Sequence, residues 1–305
     1  MDISYNINSN AANKYGFIGT CWEQGACVGP SGQRTGPAAV RKAMKKAWGR
    51  IQNNKILDVD SWRLLDVRDL EVKDFGDIND FRVDNWLYTI DKIAENVGNV
   101  LTSGYIPVVV GGDCSIHYPS VKGIHDAIKG NVGVVYMDSH FDLWDEHPNY
   151  GKYSHASPCK NIMELSRVNG ENVVHFGVRG YGQPFFYEYI IKNGSTPITA
   201  NMFFSMGVEK SADRILSVIN NGTEKSVICV DIDVIEGALT PGTAGNEPGG
   251  PISYEFQELI KMLAPHTDAI VITEVNANFD VNEITAIQAA KVFNDFIFYN
   301  YAGKK

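Results

Sequence analysis

Residues 132–142 read Val-Gly-Val-Val-Tyr-Met-Asp-Ser-His-Phe-Asp, an apolar run that passes directly into side chains able to bind a metal. A short apolar run rich in β-branched residues is typical of a buried strand. Side chains two positions apart on an extended chain point to the same side, so Asp138, His140 and Asp142 are expected to converge. The stretch therefore predicts a strand of a buried sheet that ends in a polar cluster.

A second stretch has the same design. Residues 227–233 read Val-Ile-Cys-Val-Asp-Ile-Asp, which predicts another buried strand with Asp231 and Asp233 on one side. Taken alone, this stretch also fits a strand end that caps a helix. Carboxylates and an imidazole at the ends of buried strands would repel and desolvate one another unless a cation lay among them. Oxygen donors with one imidazole suit a divalent ion such as Mn²⁺, so the two stretches together predict a metal-dependent enzyme.

The rest of the chain alternates short apolar segments with amphipathic ones. Strands are predicted at Tyr15–Thr20, Ile106–Val110, Gly133–Met137, Val173–Val178, Val227–Asp231 and Ala269–Thr273. Helices are predicted from near Gly36, at Asp80–Thr102, at about Tyr254–Leu263 and at Glu283–Tyr299. Such alternation favours a mostly parallel sheet with helices on both faces, in which ligands bind beyond the carboxyl ends of the strands. No repeat or linker divides the sequence, so we expect a single domain over residues 1–305.

Composition excludes several classes of protein. With 44% hydrophobic and 21% charged residues, the chain resembles an ordinary soluble globular protein. Its net charge of −9 and lack of a basic run argue against nucleic acid as a partner. The acidic charge either solvates the surface or draws a cationic substrate towards an acidic cleft. No apolar stretch approaches the roughly 18–20 residues needed to cross a membrane.

The cysteines and the N-terminal residues bear on the compartment. Five cysteines, an odd number without tight pairs, do not suggest a disulfide framework. The first residues, MDISYNINSNAANKYG, have neither a basic start nor an apolar core, unlike a signal peptide. We therefore expect a cytoplasmic protein.

Five blocks in order resemble the arginase/agmatinase (ureohydrolase) family. They are Gly111-Gly112-Asp113-Cys114-Ser115, Asp138-Ser139-His140-Phe141-Asp142, Ser154-His155-Ala156-Ser157, Asp231-Ile232-Asp233 and Glu274-Val275-Asn276. The resemblance covers nearly the whole chain, from Gly36–Arg41 to Glu283–Ala286. It implies a three-layer α/β sandwich with a central, mostly parallel sheet. It also implies a small guanidino substrate and a homo-oligomer, either a trimer or a hexamer.

The resemblance further implies two Mn²⁺ ions bridged by hydroxide. The implied metal ligands are Cys114, Asp138, His140, Asp142, Asp231 and Asp233. In this pattern Asp138 and Asp231 would bridge both ions. His140 and Asp233 would complete one ion's shell, and Cys114 and Asp142 would complete the other.

Catalytic and substrate-binding roles follow from the same resemblance. His155 would carry the proton to the leaving nitrogen, Glu274 would hold the guanidinium, and Asp142 is included among the catalytic residues. His155, Glu274 and Trp144 would contact the substrate. Because the guanidinium carbon is a poor electrophile, its hydrolysis needs a strong nucleophile, and two metals supply one by lowering the pKa of a bound water. Without the resemblance, two simpler interpretations stay open: His155 is a loop histidine, and Glu274 forms an ion pair with a nearby Lys or Arg.

Three positions depart from the family pattern. Cys114 stands where the family usually has a ligand histidine, and a thiolate favours Zn²⁺ or Fe²⁺ over Mn²⁺. One ion is therefore expected to be weakly held, replaced by a softer metal or absent. Glu236 replaces an Asp near the second ligand pair, and Ser139 replaces a small Ala; we expect both to be tolerated. His117, His125, His147, His175 and His266 match no ligand position and are interpreted as core or surface residues.

The substrate is predicted from two loops. Residues 142–146 and 153–158 look more like agmatinases than arginases, and residues 177–182 lack the carboxylate with which arginases bind the amino-acid end. We therefore predict an agmatinase that converts agmatine and water into putrescine and urea. Another guanidino-acid hydrolase, an arginase and a formimidoylglutamase stay open. So does a family member that has lost a metal and serves a non-catalytic binding role.

Overall fold

The computed structural model describes residues 5–6, 13–24 and 31–304. Within these ranges the strands are β1 (Tyr5–Asn6), β2 (Asn13–Thr20), β3 (Lys55–Asp58), β4 (Arg63–Asp66), β5 (Leu70–Ile78), β6 (Ile106–Val110), β7 (Val132–Met137), β8 (Val173–Phe176), β9 (Thr196–Ile198), β10 (Lys225–Asp231) and β11 (Ala269–Thr273). The helices are α1 (Gly36–Trp48), α2 (Trp86–Thr102), α3 (His117–Ala127), α4 (Pro158–Met163), α5 (Pro184–Asn193), α6 (Ala200–Met206), α7 (Val208–Ile219), α8 (Ser253–Leu263) and α9 (Ile284–Gly303).

One sheet runs through the described part of the chain, with the strand order β1-β5-β2-β6-β11-β10-β7-β8-β9. In this spatial order, the eight strands that follow β1 are all parallel, whereas β1 itself pairs antiparallel with β5 at the edge. Strands β3 and β4 form a separate hairpin. The predicted α/β fold with a mostly parallel sheet is confirmed.

Helices cover both faces of this sheet. Alternate residues of one strand enter different cores: Val108 and Val110 of β6 pack with α1, α6, α7, α8 and α9, whereas Val109 packs with α2, α3, α4 and α5. Strands buried on both faces are apolar throughout, which is why they appear in the sequence as continuous rather than alternating hydrophobic runs. The result is the three-layer sandwich that the sequence predicted. None of the described helices is long and apolar enough to cross a bilayer.

The order of the central strands positions the site. After β6 the chain skips two places to form β7, β8 and β9, and only then returns to insert β10 and β11 between β6 and β7. The carboxyl ends of β6, β11, β10 and β7 are therefore neighbours, although long stretches of sequence separate them. Ligands of parallel sheets bind beyond such strand ends, where the connections change direction.

Most predicted elements are present, with small differences at their ends. Strands Ile106–Val110 and Ala269–Thr273 have the predicted bounds. The helix predicted at Asp80–Thr102 begins only at Trp86, because the Asn85 side chain caps it by accepting a hydrogen bond from the Tyr88 amide at 3.0 Å. The strand predicted to reach Val178 ends at Phe176.

Four free cysteines lie in the described residues: Cys21, Cys114, Cys159 and Cys229. The fifth, Cys27, lies outside the described residues.

Candidate metal centre

The carboxyl ends of the four central strands open into a cavity of about 290 Å³. All side chains that the sequence placed in the site line this cavity: Cys114, Asp138, His140, Asp142, Trp144, His155, Asp231, Asp233 and Glu274. These residues lie at the carboxyl ends of four strands and in one loop. The topology thus brings the predicted site residues together in one place.

Local hydrogen bonds shape the strand ends. Asp231, the last residue of β10, accepts a hydrogen bond on Oδ1 from the Asp233 amide at 2.9 Å. Asp138, which follows β7, accepts one on Oδ1 from the His140 amide at 2.6 Å. Such side-chain-to-backbone bonds two residues on are typical of Asp at turns. They turn the chain back at once, so that both members of each pair face the cavity.

The turn after β6 depends on a glycine. A Cβ on Gly112 would lie 1.5 Å from the Trp22 carbonyl oxygen, so no larger residue fits there. The close approach lets the Asp113 amide donate to the same carbonyl at 3.0 Å. Asp113 then caps the short helical turn that carries Cys114 by accepting from the Ser115 amide at 3.0 Å. The Gly-Gly-Asp block therefore sets the position of Cys114 in the cavity floor.

The first donor group consists of Asp138, His140 and Asp233, whose ligand atoms lie within 4.8 Å of one another. Nδ1 of His140 is 3.2 Å from Asp138 Oδ1 and 3.1 Å from Asp233 Oδ2. Burial alone would lower the pKa of His140, but hydrogen bonds to the two carboxylates and their charges raise it to about 12. This is the group that the resemblance assigned to one ion, together with the bridging Asp231.

The second donor group consists of Cys114, Asp231 and Glu274, again within 4.8 Å of one another. The Cys114 amide donates to Glu274 Oε1 at 2.8 Å, and the Glu274 amide donates to the Gly112 carbonyl at 2.8 Å. The sequence had placed Asp142 beside Cys114 and reserved Glu274 for the substrate. Asp142 Oδ2 does lie 3.6 Å from Cys114 Sγ, but Glu274 shares the same small space.

The cavity floor is a cluster of buried acids. Burial, reinforced by the charges of neighbouring carboxylates, raises the pKa of Asp138 to about 6 and that of Glu274 to about 8. The same causes hold the pKa values of Asp142 and Asp231 well above the usual range. Oδ2 of Asp138 and Oε2 of Glu274 are buried and accept no hydrogen bond from any described residue. A divalent cation would both supply the missing partner and offset the repulsion, so these residues fit the implied metals.

The wall of the cavity above this floor is aromatic. It is built mainly from Phe141, Trp144, His147, Tyr181, Gln183 and Phe186. The ring centroid of Trp144 lies 4.8 Å from that of His147 and 6.2 Å from that of Phe186. His147, predicted to be a core or surface residue that matches no ligand position, is half-buried and lines this wall. Its position three residues after Trp144, in the same loop, was the signal available in the sequence.

His155 enters the cavity from a tight turn that is tied to the Trp144 loop. The Trp144 amide donates to the Ala156 carbonyl at 3.1 Å. The His155 carbonyl accepts from Cys114 Sγ at 3.2 Å, and its ring lies 5.0 Å from that of Tyr150. His155, predicted both to carry the proton and to contact the substrate, thus lies in a turn that is hydrogen-bonded to the loop of Trp144.

Arg179 also borders the cavity, but its guanidinium is committed to the protein. It donates to five backbone carbonyls over distances of 2.7–3.2 Å, those of Gly177, Asp233, Val234, Ile235 and Glu247. Burial lowers its pKa. Glu236 fixes the adjoining loop by accepting from the amides of Gly249 and Gly250. Arg179 therefore holds the loop that carries Asp233 rather than offering a charge to a ligand.

A family model, named relatives and solved structures all match nearly the whole of this chain. The model of the Arginase family matches residues 13–299. A formimidoylglutamase from Halalkalibacterium halodurans is 27% identical, over 97% of this chain and 90% of its own. An agmatinase from Neisseria meningitidis serogroup C is also 27% identical, over 92% of this chain and 85% of its own. The crystal structure of Trypanosoma cruzi formiminoglutamase with Mn²⁺ superposes with a TM-score of 0.81 at 20% identity, covering 95% of this chain and 94% of that one.

Proposed function

The chain belongs to the arginase family, and on that basis we propose that it hydrolyses agmatine to putrescine and urea. It is a hydrolase that acts on the C–N bonds of linear amidines. What distinguishes substrates within this class is the end of the molecule remote from the amidine. The residues around the mouth of the cavity therefore carry the choice of substrate.

The observation that supports agmatine is the commitment of Arg179. It is the one Lys or Arg on the cavity wall among the described residues. Its guanidinium N–H groups already donate hydrogen bonds to backbone carbonyls. A carboxylate at the remote end of a substrate would find no free cation there. An ammonium would instead face the rings of Trp144 and Phe186, which favour a cation by cation–π attraction. Agmatine carries such an ammonium.

Formimidoylglutamate is the second candidate, because the relatives include formimidoylglutamases of comparable identity. This substrate carries two carboxylates. The cavity wall offers them the neutral groups of Tyr181 and Gln183 but no uncommitted positive charge among the described residues. Neutral donors bind carboxylates less strongly than cations do, so we rank this substrate below agmatine.

We propose two divalent ions, with Mn²⁺ preferred in the group formed by Asp138, His140 and Asp233. When bound, such ions lower the pKa of water and stabilise charge on the reacting carbon's substituents. The protein's own residues then orient the substrate. In this proposal Glu274 faces the cationic head of the substrate and His155 exchanges a proton with the leaving nitrogen; both side chains line the cavity.

The test is a comparison of substrates and metals. Urea release from agmatine, arginine, guanidinobutyrate and guanidinopropionate, and ammonia or formamide release from formimidoylglutamate, would be measured with Mn²⁺, Co²⁺, Ni²⁺ and Zn²⁺. We expect the highest kcat/KM for agmatine. A clear preference for arginine or formimidoylglutamate would contradict the proposal, and no turnover under any metal would support a non-catalytic binding role.

A pair of tryptophan variants tests the aromatic wall. Trp144→Ala should raise the KM for agmatine by roughly tenfold, the effect of about 1–2 kcal/mol of cation–π attraction. Trp62→Ala is the matched control, because Trp62 is 77% exposed on the β3–β4 hairpin and does not line the cavity. An unchanged KM in Trp144→Ala would remove Trp144 from the substrate site.

We also propose that the chain forms a homo-oligomer, as the family resemblance implies. Light scattering would measure the mass in solution. A single species at the chain mass of 33.7 kDa would contradict this expectation.

A further inference from the structure

Beneath the cavity floor, a chain of buried hydrogen bonds leads from Thr273 to Asp142. Thr273 Oγ1 lies 3.2 Å from His117 Nε2, and His117 Nδ1 lies 3.3 Å from the Tyr136 hydroxyl. The Tyr136 hydroxyl donates to Asp142 Oδ2 at 2.7 Å. Thr273, His117 and Tyr136 are completely buried. None of the three has a role in the function proposed above.

The distances in this chain indicate the direction of the hydrogen bonds nearest Asp142. Each hydroxyl has a single proton, and a carboxylate oxygen at 2.7 Å is a better acceptor for the Tyr136 proton than a ring nitrogen at 3.3 Å. An attractive contact between His117 and Tyr136 then requires the proton on Nδ1 of His117. The Thr273 hydroxyl lies 3.2 Å from His117 Nε2 and also donates to the Val230 carbonyl at 3.3 Å. The donors of His117 and Tyr136 then both point towards Asp142, an arrangement in which successive hydrogen bonds strengthen one another.

This chain connects the elements that carry the candidate ligands. Thr273 ends β11 and precedes Glu274, His117 begins α3 just after Cys114, and Tyr136 lies on β7. Asp142 itself has a φ of +51°, a conformation that residues other than glycine rarely adopt and that persists only where neighbours hold it. The Tyr136 hydroxyl is one such neighbour. The Lys160 amide, which donates to the Asp142 carbonyl at 3.1 Å, is another.

We propose that Tyr136 and His117 are positioning residues that hold Asp142 so that one carboxylate oxygen is occupied and the other is available to the ion near Cys114. The inference rests on the proposed function only in assuming that the cavity binds two ions. Tyr136 acts on Asp142 directly, and His117 acts through Tyr136. Groups that orient metal ligands in this way commonly change metal affinity by about 10–100-fold when they are removed.

Tyr136→Phe is the test, because it removes only the hydroxyl. Tyr15→Phe is the matched control: Tyr15 is also completely buried, and its hydroxyl also donates one hydrogen bond, to Asn300 Oδ1 at 2.8 Å, but it does not line the cavity. Ions bound per chain would be measured by elemental analysis and by Co²⁺ titration followed by absorption. Circular dichroism and thermal melting would establish that each variant is folded.

We expect Tyr136→Phe to weaken the less tightly bound ion by at least about tenfold, with the other ion unaffected. Tyr15→Phe should bind both ions as the wild type does, even if its melting temperature falls equally. Adding His117→Ala to Tyr136→Phe should cause little further loss of affinity, because His117 acts through the phenol.

Wild-type affinity for both ions in a folded Tyr136→Phe variant would overturn the proposal. So would a wild-type protein that binds fewer than two ions at saturating Co²⁺. The measurement does not use turnover. A wild type that binds two ions but hydrolyses no amidine would therefore refute the proposed function. The positioning role would still be decided by the ion binding of Tyr136→Phe.

Discussion

Cys114 is the residue where the candidate metal centre differs most from its family's pattern. Its thiol lies among Asp142, Asp231 and Glu274, and burial together with these charges raises its pKa well above the usual value. To bind an ion, the thiol must lose its proton. Mn²⁺ compensates that loss poorly, since it stands lowest in the usual affinity order and prefers oxygen donors.

We therefore predict that Cys114→His increases the affinity of the weaker site for Mn²⁺ by roughly tenfold or more, and that Cys114→Ala does not. Zn²⁺ should bind the native cysteine site better than Mn²⁺ does. Metal titration followed by elemental analysis would measure both effects. Cys21→Ser, at a half-buried cysteine that does not line the cavity, is the control. Identical Mn²⁺ titrations of Cys114→His and wild type, with both sites filled, would show that the cysteine is no handicap.

Glu274 has two possible partners, and one variant distinguishes them. Its carboxylate lies close enough to Cys114 and Asp231 to share an ion, yet the family pattern gives it to the guanidinium. Glu274→Gln keeps the shape and removes the charge. We predict that two ions still bind and that kcat/KM for agmatine falls by about 100-fold or more, as expected when one partner of a buried ion pair is lost. A fall to one ion per chain would make Glu274 a metal ligand. Glu283→Gln, at an exposed glutamate, is the control.

At the scale of elements, the loop that follows β10 is held by a side chain from another part of the sheet. Arg179 donates to carbonyls of residues 233–235 and to Glu247, and so joins the Asp233 turn to the loop bearing Ala244 and Gly245. A buried carbonyl that loses its charged donor and gains no other partner lowers the stability of the folded state.

Arg179→Gln should therefore lower the free energy of unfolding by about 2 kcal/mol. It should also weaken the ion held by Asp233, because that residue's turn would lose its support. Denaturant unfolding and Mn²⁺ titration would measure these effects. Arg214→Gln, on the exposed side of α7, should change neither. A stable Arg179→Gln variant with normal metal binding would show that the loop keeps its shape without the guanidinium.

The sequence predicted the central strands well because each is buried on both faces and thus uniformly apolar. It did not predict β5, in which Lys73, Asp74 and Asp77 interrupt the apolar pattern, although Arg41 pairs with Asp74 at 2.9 Å and so stabilises that polar stretch. The short strand β9 and the β3–β4 hairpin were missed as well. Their few buried residues leave little periodicity to detect.

For the site, sequence spacing predicted that candidate ligands two residues apart converge on an extended chain. They do face one cavity, but through turns, because Asp138 and Asp231 each accept a hydrogen bond from the amide two residues on. Spacing could not identify Tyr136 or His117 as neighbours of Asp142. Tyr136 reads as one more apolar position of a buried strand, and His117 meets it only through the packing of α3 against the sheet. The sequence also gave no indication of the role of Arg179. Its five acceptors are backbone carbonyls, which every residue has, so no pattern of side chains reveals them.

At the scale of the whole molecule, the fold concentrates acidic groups at one edge of the sheet. The insertion of β10 and β11 between β6 and β7 forces Asp231 and Glu274 against Asp138 and Cys114. The apolar cores on both sides stabilise the sheet, while the repulsion among these carboxylates opposes the folded state. Bound ions would therefore contribute to the stability of the entire protein as well as to its chemistry.

The metal-free protein should accordingly lose stability as the pH rises from 6.5 to 8. In this range Glu274, with a pKa of about 8, and His140, with a pKa of about 12, retain protons that their unfolded forms release near pH 4 and 6.5. The folded state then binds more protons than the unfolded state, so the free energy of unfolding falls with rising pH. Below pH 6.5 the sign is mixed, because His117 and His175 have pKa values lowered to about 3 and 4 and oppose the trend.

The measurement is the melting temperature with EDTA and with saturating Mn²⁺ across this pH range. Each proton retained is worth about 1.4 kcal/mol per pH unit, so the EDTA-treated protein should melt several degrees lower at pH 8 than at pH 6.5. The Mn²⁺-loaded protein should change less, because its carboxylates are already ionised against the metal. In Asp231→Asn, which removes one of the repelling charges, the metal-free protein should show a shallower decline. Equal slopes with and without metal would mean that the carboxylate cluster does not set the stability of the metal-free fold.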